Sequence, residues 1–255
     1  MPPRPAQQDQ FARIAPHYDA LMANVPYALW AEYVRNLAAL SGRPILPGRR
    51  LLDLATGTGS IALEFARAGC IVTGIDLSAP MIAQARKKAR SCGMNAQFLV
   101  RDVADFDLPP EFDHAVCLYD SLNYILVPDR LKQAFANTRH ALKDDGLLIF
   151  DVNTVQALEA ELFTQESRPD AEVTYRWNSR YDSKTRVSTI RMSFTVAATG
   201  ERIQLVHRQR GYSDAELRSF LLGAGFGEVN AYDGYRVTPP APESDRVFYA
   251  ARPLP

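Results

Sequence analysis

From residue 50 onward, short unbroken apolar runs alternate with stretches whose apolar positions recur three and four residues apart. A strand buried on both faces produces the first pattern and a helix lying on a sheet the second. Strands are therefore predicted at Arg50–Ala55, Ile71–Asp76, Ala96–Val100, Phe112–Leu118 and Leu147–Val152. Helices are predicted over Ser60–Ala68, over Pro80–Arg90 behind a Ser78 cap, and around Leu131, Phe135, Thr138 and Leu142. Upstream, Leu29, Trp30, Tyr33, Val34, Leu37 and Leu40 keep helical spacing until Ser41-Gly42, with Pro26 suited to the first turn. Residues 1–10, rich in proline and glutamine, are expected to fray.

After residue 152 the pattern changes. Thr174–Tyr181, Arg186–Val196 and Arg202–Tyr212 are β-rich and partly alternating, separated by Asp182-Ser183-Lys184 and Ala198-Thr199-Gly200, which predicts an antiparallel meander. The earlier pattern resumes at Ser213, which forms a capping box with Glu216 and opens a helix that Gly225 stops. Strands around Glu228–Tyr232 and Arg246–Ala250 complete an α/β, doubly wound sheet of seven strands. The expectation is one domain over residues 1–255: a helical cap (1–42), a ligand-binding core (43–155), an inserted meander (about 165–212) and a completing segment (213–255).

Composition narrows the function. An apolar fraction of 47% over 255 residues supports a large core, and 29 basic against 29 acidic residues leave no net charge to draw the chain onto nucleic acid or an anionic membrane. The basic run Arg86-Lys87-Lys88-Ala89-Arg90 reads as the wet face of an amphipathic helix. Cys70, Cys92 and Cys117 are too scattered for a disulfide framework or a zinc site, and no metal cluster emerges. The opening Met-Pro-Pro-Arg-Pro carries no long apolar stretch, so the expected compartment is the cytoplasm, as a monomer or homodimer.

The chemistry concentrates at strand ends. In Leu51-Leu52-Asp53-Leu54-Ala55-Thr56-Gly57-Thr58-Gly59 a buried strand runs into a two-glycine turn and directly into a helix, so a ligand could press against the backbone. Ala62 stands where a dinucleotide fingerprint has its third glycine, and Asp53 precedes the turn. That carboxylate would repel a pyrophosphate and welcome a cation. Asp76 ends the second strand, where it could accept two hydrogen bonds from a ribose diol, and Asp102 follows the third.

This constellation resembles the class I S-adenosylmethionine-dependent methyltransferases, whose first motif is an acidic residue, a small residue and Gly-x-Gly, as at Asp53, Ala55, Gly57 and Gly59. The resemblance covers roughly residues 11 to 252 and implies a Rossmann-like methyltransferase with S-adenosylmethionine as cofactor. It implies that Asp76 and Leu77 hold the ribose, that Asp102 meets the adenine amino group, and that Met81 and Val103 flank the base. The backbone near Leu118 would receive the methionine ammonium. Asp120-Ser121-Leu122-Asn123-Tyr124 and Phe11-Ala12-Arg13-Ile14-Ala15-Pro16-His17-Tyr18-Asp19 are similar to a small-molecule branch, in which Tyr18 and the helix after it close over the cofactor. Trp30 has two readings, cofactor contact or core packing of its helix.

Direct displacement at a sulfonium needs alignment and dehydration, and a general base only where the acceptor begins protonated. His207 and Asp120 are the catalytic candidates, with Asn123, Tyr124 and Arg210 as acceptor contacts. Each has an alternative: His207 as a strand histidine on a solvated face, Asp120 as a helix cap, Arg210 as a surface charge. His114 and His140 read as structural. The meander either walls a small-molecule acceptor or forms a dimer surface. Two other readings remain open, a non-catalytic S-adenosylmethionine-binding module and a nicotinamide-dependent oxidoreductase on a similar sheet.

Overall fold

A computed structural model describes residues 9, 11–166, 173–197 and 199–254. The expected fraying of residues 1–10 and Ala198 of the second meander turn lie outside the described residues, apart from Asp9. The chain runs through α1 (Tyr18–Leu21), α2 (Tyr27–Leu40), β1 (Arg50–Leu54), α3 (Ser60–Arg67), β2 (Ile71–Asp76), α4 (Ala79–Ser91), β3 (Ala96–Val100) and β4 (Phe112–Cys117). It continues through α5 (Pro128–Ala141), β5 (Leu142–Asn153), α6 (Val155–Glu159), β6 (Gln165–Glu166), β7 (Val173–Asp182), β8 (Val187–Val196), β9 (Arg202–Arg210), α7 (Asp214–Gly223), β10 (Phe226–Asp233) and β11 (Arg246–Pro253).

The main sheet has the order β10-β11-β5-β4-β1-β2-β3. Its β5-β4-β1-β2-β3 portion is parallel, and β11 and β10 add antiparallel to β5. Every residue of β4 is buried, as a central strand between two helical layers requires. One layer packs Phe112, Phe135, Phe150, Leu217 and Phe226 into a core on one face, and the other packs Val34, Leu37, Phe65, Ile82 and Phe248 on the opposite face. The Ser213–Glu216 capping box opens α7, and Ser78 caps α4 through the Met81 amide.

The meander forms a separate antiparallel sheet, β6-β7-β8-β9. Alternation along β8 buries Ser188, Ile190, Met192, Phe194 and Val196 and turns the intervening residues outward. The buried face joins Ile14 and Met81 in a third apolar cluster, so this sheet, the N-terminal segment and α4 meet over the C-terminal tips of β1 and β2.

Several boundaries differ from the sequence expectation for a backbone reason. Ala55 has φ +54°, which ends β1 at Leu54, and Arg186 at φ +58° delays β8 to Val187. Leu142, expected on the helix, is extended at ψ 144° and begins β5. Pro26 precedes α2 at its N-cap instead of entering the first turn. The two-residue β6 and the short α6, capped by Thr154, are too brief to leave a periodic signal.

Candidate functional site

At the tip of β1 the chain reverses through two left-handed glycines, Gly57 (φ +56°) and Gly59 (φ +77°), which only glycine adopts without strain. A Cβ on Gly57 would project into open space, whereas one on Gly59 would press on Phe98 and Ala85 at 3.0–3.1 Å. Gly57 thus opens the backbone to the cavity and Gly59 lets α3 sit close to the sheet. Thr56 N–H donates to the Ile75 carbonyl at 2.9 Å, tying the turn to β2. The Thr56 hydroxyl donates to Asp53 Oδ2 at 2.5 Å.

Asp76 accepts from the Gly57 amide (Oδ2, 2.8 Å) and from the Ser78 amide (Oδ1, 2.8 Å). Asp102 accepts from the Ala104 amide at 2.8 Å and pairs through its other oxygen with Arg130. Among the described residues no basic side chain pairs with Asp53 or Asp76. Burial accordingly raises Asp53 from 3.8 to about 7, against the Thr56 hydrogen bond and with the neighbouring Asp76 adding to the rise. Burial raises Asp76 to about 6, against the two amide bonds. Two buried carboxylates that no basic side chain pairs among the described residues form an environment that favours positive charge.

The tip of β4 is held differently. Tyr119 (φ +65°) and Asp120 (φ +48°) are both left-handed, a conformation that persists only where surroundings impose it. Asp151 imposes it: its carboxylate accepts both amides, from Tyr119 at 2.6 Å and from Asp120 at 3.0 Å. Arg246, on β11, bridges Asp151 and Asp120, the latter at 2.8 Å. Burial alone would lower the Arg246 pKa, but the two carboxylates outweigh it and hold the guanidinium charged. Gln209, on β9, donates to Asp120 Oδ2 at 2.5 Å and accepts from Asn153 Nδ2 at 3.2 Å, so the meander is bolted to the main sheet at this point.

The N-terminal segment lies across the glycine turn. Asp19 Oδ1 accepts from the Thr58 hydroxyl at 2.6 Å and pairs with Lys88 Nζ at 2.7 Å, which also reaches Ser60 at 2.8 Å. Lys88 of the basic run is therefore a latch on that segment. Phe11 packs its ring 4.5 Å from His207 and 5.2 Å from Tyr124, and Tyr124 Oη lies 3.3 Å from His207 Nδ1.

These parts enclose a cavity of about 460 Å³. Thirteen of the residues singled out from sequence line it: Tyr18, Asp53, Ala55, Gly57, Asp76, Leu77, Met81, Asp102, Val103, Leu118, Asp120, Tyr124 and His207. His207 is buried against Phe11 and Tyr124, not on a solvated face. Asp120 stands at the N-cap of a short 3-10 turn, Ser121–Tyr124, without a side-chain cap bond, its oxygens taken by Arg246 and Gln209.

Four residues do not line the cavity. Trp30 packs in the core, 5.1 Å from the Tyr119 ring and 5.5 Å from the Arg246 guanidinium, so it supports the β4 tip from behind. Gly59 faces Phe98. Asn123 is fully buried and bonds the Asn153 amide and the carbonyls of Asn153 and Arg210, joining the two sheets. Arg210 lies over the Tyr212 ring at 5.4 Å. Sequence reasoning missed Asp151, Arg246 and Gln209, of which Asp151 alone left a signal, as an acid inside the apolar run Leu147–Val152. His114 bonds the Arg43 carbonyl and His140 stands near Asp107 at the surface, both away from the cavity.

The family described as Methyltransferase domain matches residues 51–146. A putative methyltransferase of Geobacillus sp. is 31% identical over 242 residues, covering 92% of this chain and 96% of that protein. The putative methyltransferase YqeM of Bacillus subtilis is 32% identical over 242 residues, covering 92% and 94%. The crystal structure of a S-adenosylmethionine-dependent methyltransferase from Clostridium acetobutylicum superposes with a TM-score of 0.82 at 26% identity, covering 95% of this chain and 98% of that one.

Proposed function

The chain belongs to the S-adenosylmethionine-dependent methyltransferases, and from that premise we propose that it methylates a small-molecule acceptor, held between the strand tips of the main sheet and the inner face of the β7–β9 sheet. The carrying observation is that Asp53, Asp76 and Asp102, at three successive strand tips, all line one cavity, two of them buried enough to be raised toward neutrality.

The residues present fit the cofactor. Its ammonium and its sulfonium are cationic, and Asp53 and Asp76 are carboxylates without a basic partner among the described residues. In this reading Asp53 and the backbone at Leu118 take the amino-acid end, and Asp76 and Leu77 take the ribose. Asp102, Val103 and Met81 take the base. Tyr18, which lines the same cavity, closes over it. S-adenosylmethionine supplies a methyl group on a sulfonium sulfur, which an acceptor lone pair displaces from the opposite side.

The protein's own contribution is alignment and exclusion of water. The strained Tyr119-Asp120 corner fixes the wall between cofactor and acceptor, because Asp151 and Arg246 leave it one conformation. Where the acceptor carries a proton, His207 is the residue to receive it: it is buried in the wall and already within 3.3 Å of a hydroxyl, that of Tyr124. Incubating the protein with methyl-labelled donor and a panel of small amines, alcohols and ring compounds tests the reading. Label is expected in a small-molecule product, and label that appears solely in added protein or RNA would contradict it.

A further inference from the structure

The cavity has two chemically distinct halves. The half at the strand tips is acidic. The half under the meander is aromatic and apolar: Phe11, Phe163, Tyr175, Trp177, Met192 and Phe194 line it. Strand register places these side chains together, since Tyr175 pairs with Phe194 and Trp177 with Met192 across β7 and β8, and Ile190 pairs with His207 across β8 and β9. Tyr175 and Trp177 lie 4.8 Å apart ring to ring and tilted by 36°, so their neighbouring rings make one aromatic wall.

Among the described residues, the meander contributes no charged side chain to this lining. Arg246, the basic side chain lining the cavity among the described residues, is committed to Asp120 and Asp151. A phosphate or carboxylate on the acceptor would be desolvated there without a counter-charge, which is costly. An ammonium would find Asp120 with one oxygen bonded to Arg246 and the other to Gln209. Among the described residues, polar atoms on the aromatic wall include the Tyr124–His207 pair, hydroxyl to ring nitrogen at 3.3 Å, and the buried indole N–H of Trp177.

Building on the methyltransferase reading, we propose that the acceptor is an uncharged, ring-bearing apolar alcohol, its ring against the Trp177–Phe194 wall and its hydroxyl at the Tyr124–His207 pair. Such a molecule buries apolar area against the wall and leaves no charge unpaired, whereas charged analogues of the same size lose both advantages.

The test is calorimetry on protein saturated with S-adenosylhomocysteine, titrated with 2-naphthol, 2-naphthyl phosphate and 2-naphthylmethylamine. 2-Naphthol is expected to bind about tenfold or more tightly than either charged analogue. Met192→Lys, or the half-buried Trp177→Glu should the first not fold, is expected to weaken 2-naphthol by about tenfold while leaving S-adenosylhomocysteine affinity unchanged. Equal or tighter binding of the phosphate or the amine, no binding of 2-naphthol, or 2-naphthol affinity unmoved by both variants would overturn the acceptor class while leaving the cofactor reading intact. Failure of S-adenosylhomocysteine itself to bind would instead overturn the reading beneath it.

Discussion

Asp53 and Asp76 carry the charge logic of the cavity. Both are raised above the ordinary 3.8, to about 7 and about 6, by burial first. A cation bound beside them requires the ionised form, so affinity for S-adenosylmethionine is expected to rise from pH 5 to pH 7.5 and then level off, as read by titration across that range. Stability of the ligand-free protein runs the other way. With folded values above the unfolded ones, the native chain holds more protons between about pH 4 and pH 7, so its stability falls as pH rises through that window. Melting temperatures should therefore show this loss without cofactor and recover with it, and Asp53→Asn should flatten the ligand-free slope. His207→Asn is expected to lower turnover on a hydroxyl acceptor by about a hundredfold or more with little change in cofactor affinity, checked by steady-state kinetics beside calorimetry.

At the level of elements, the β4 tip depends on β5 and β11. Arg246→Met would leave Asp120 and Asp151 buried without their cation, and the expected cost is about 3–5 kcal/mol in denaturant unfolding. The Asp19–Lys88 latch is partly exposed, so Asp19→Asn should weaken the cofactor by no more than about fivefold in a binding titration. The contrast explains what the sequence could reveal. Buried strands, the Ser213–Glu216 box and the glycine turn each depend on neighbours in the chain, and all were legible. Arg246 and Asp120 meet across 126 positions, and nothing local to Arg246 announces that partner. Asn123 lies in a segment similar to one of a small-molecule branch, and its side-chain amide donates to the Asn153 and Arg210 carbonyls, partners 30 and 87 positions away that nothing local to the segment announces. Ala55, Tyr119 and Arg186 adopt positive φ without being glycine, which a residue-type rule does not anticipate.

Across the molecule, two sheets divide the labour: the main one presents acids at the tips of its parallel strands, and the meander presents aromatic rings to the space beside them. A balance of 29 basic and 29 acidic residues leaves no net charge to steer an acceptor, so the proposed function places selectivity in this local pairing of surfaces. Exchanging residues 173–209 for the corresponding segment of a methyltransferase with a different acceptor is expected to change acceptor preference and spare cofactor binding, as measured on one acceptor panel. The proposed function requires the acid-lined cavity to be the cofactor's seat. Calorimetric titration with S-adenosylhomocysteine tests this most directly: the unaltered protein should bind, and Asp76→Ala should bind about ten- to a hundredfold more weakly. Absence of binding, or equal affinity in the variant, would contradict it.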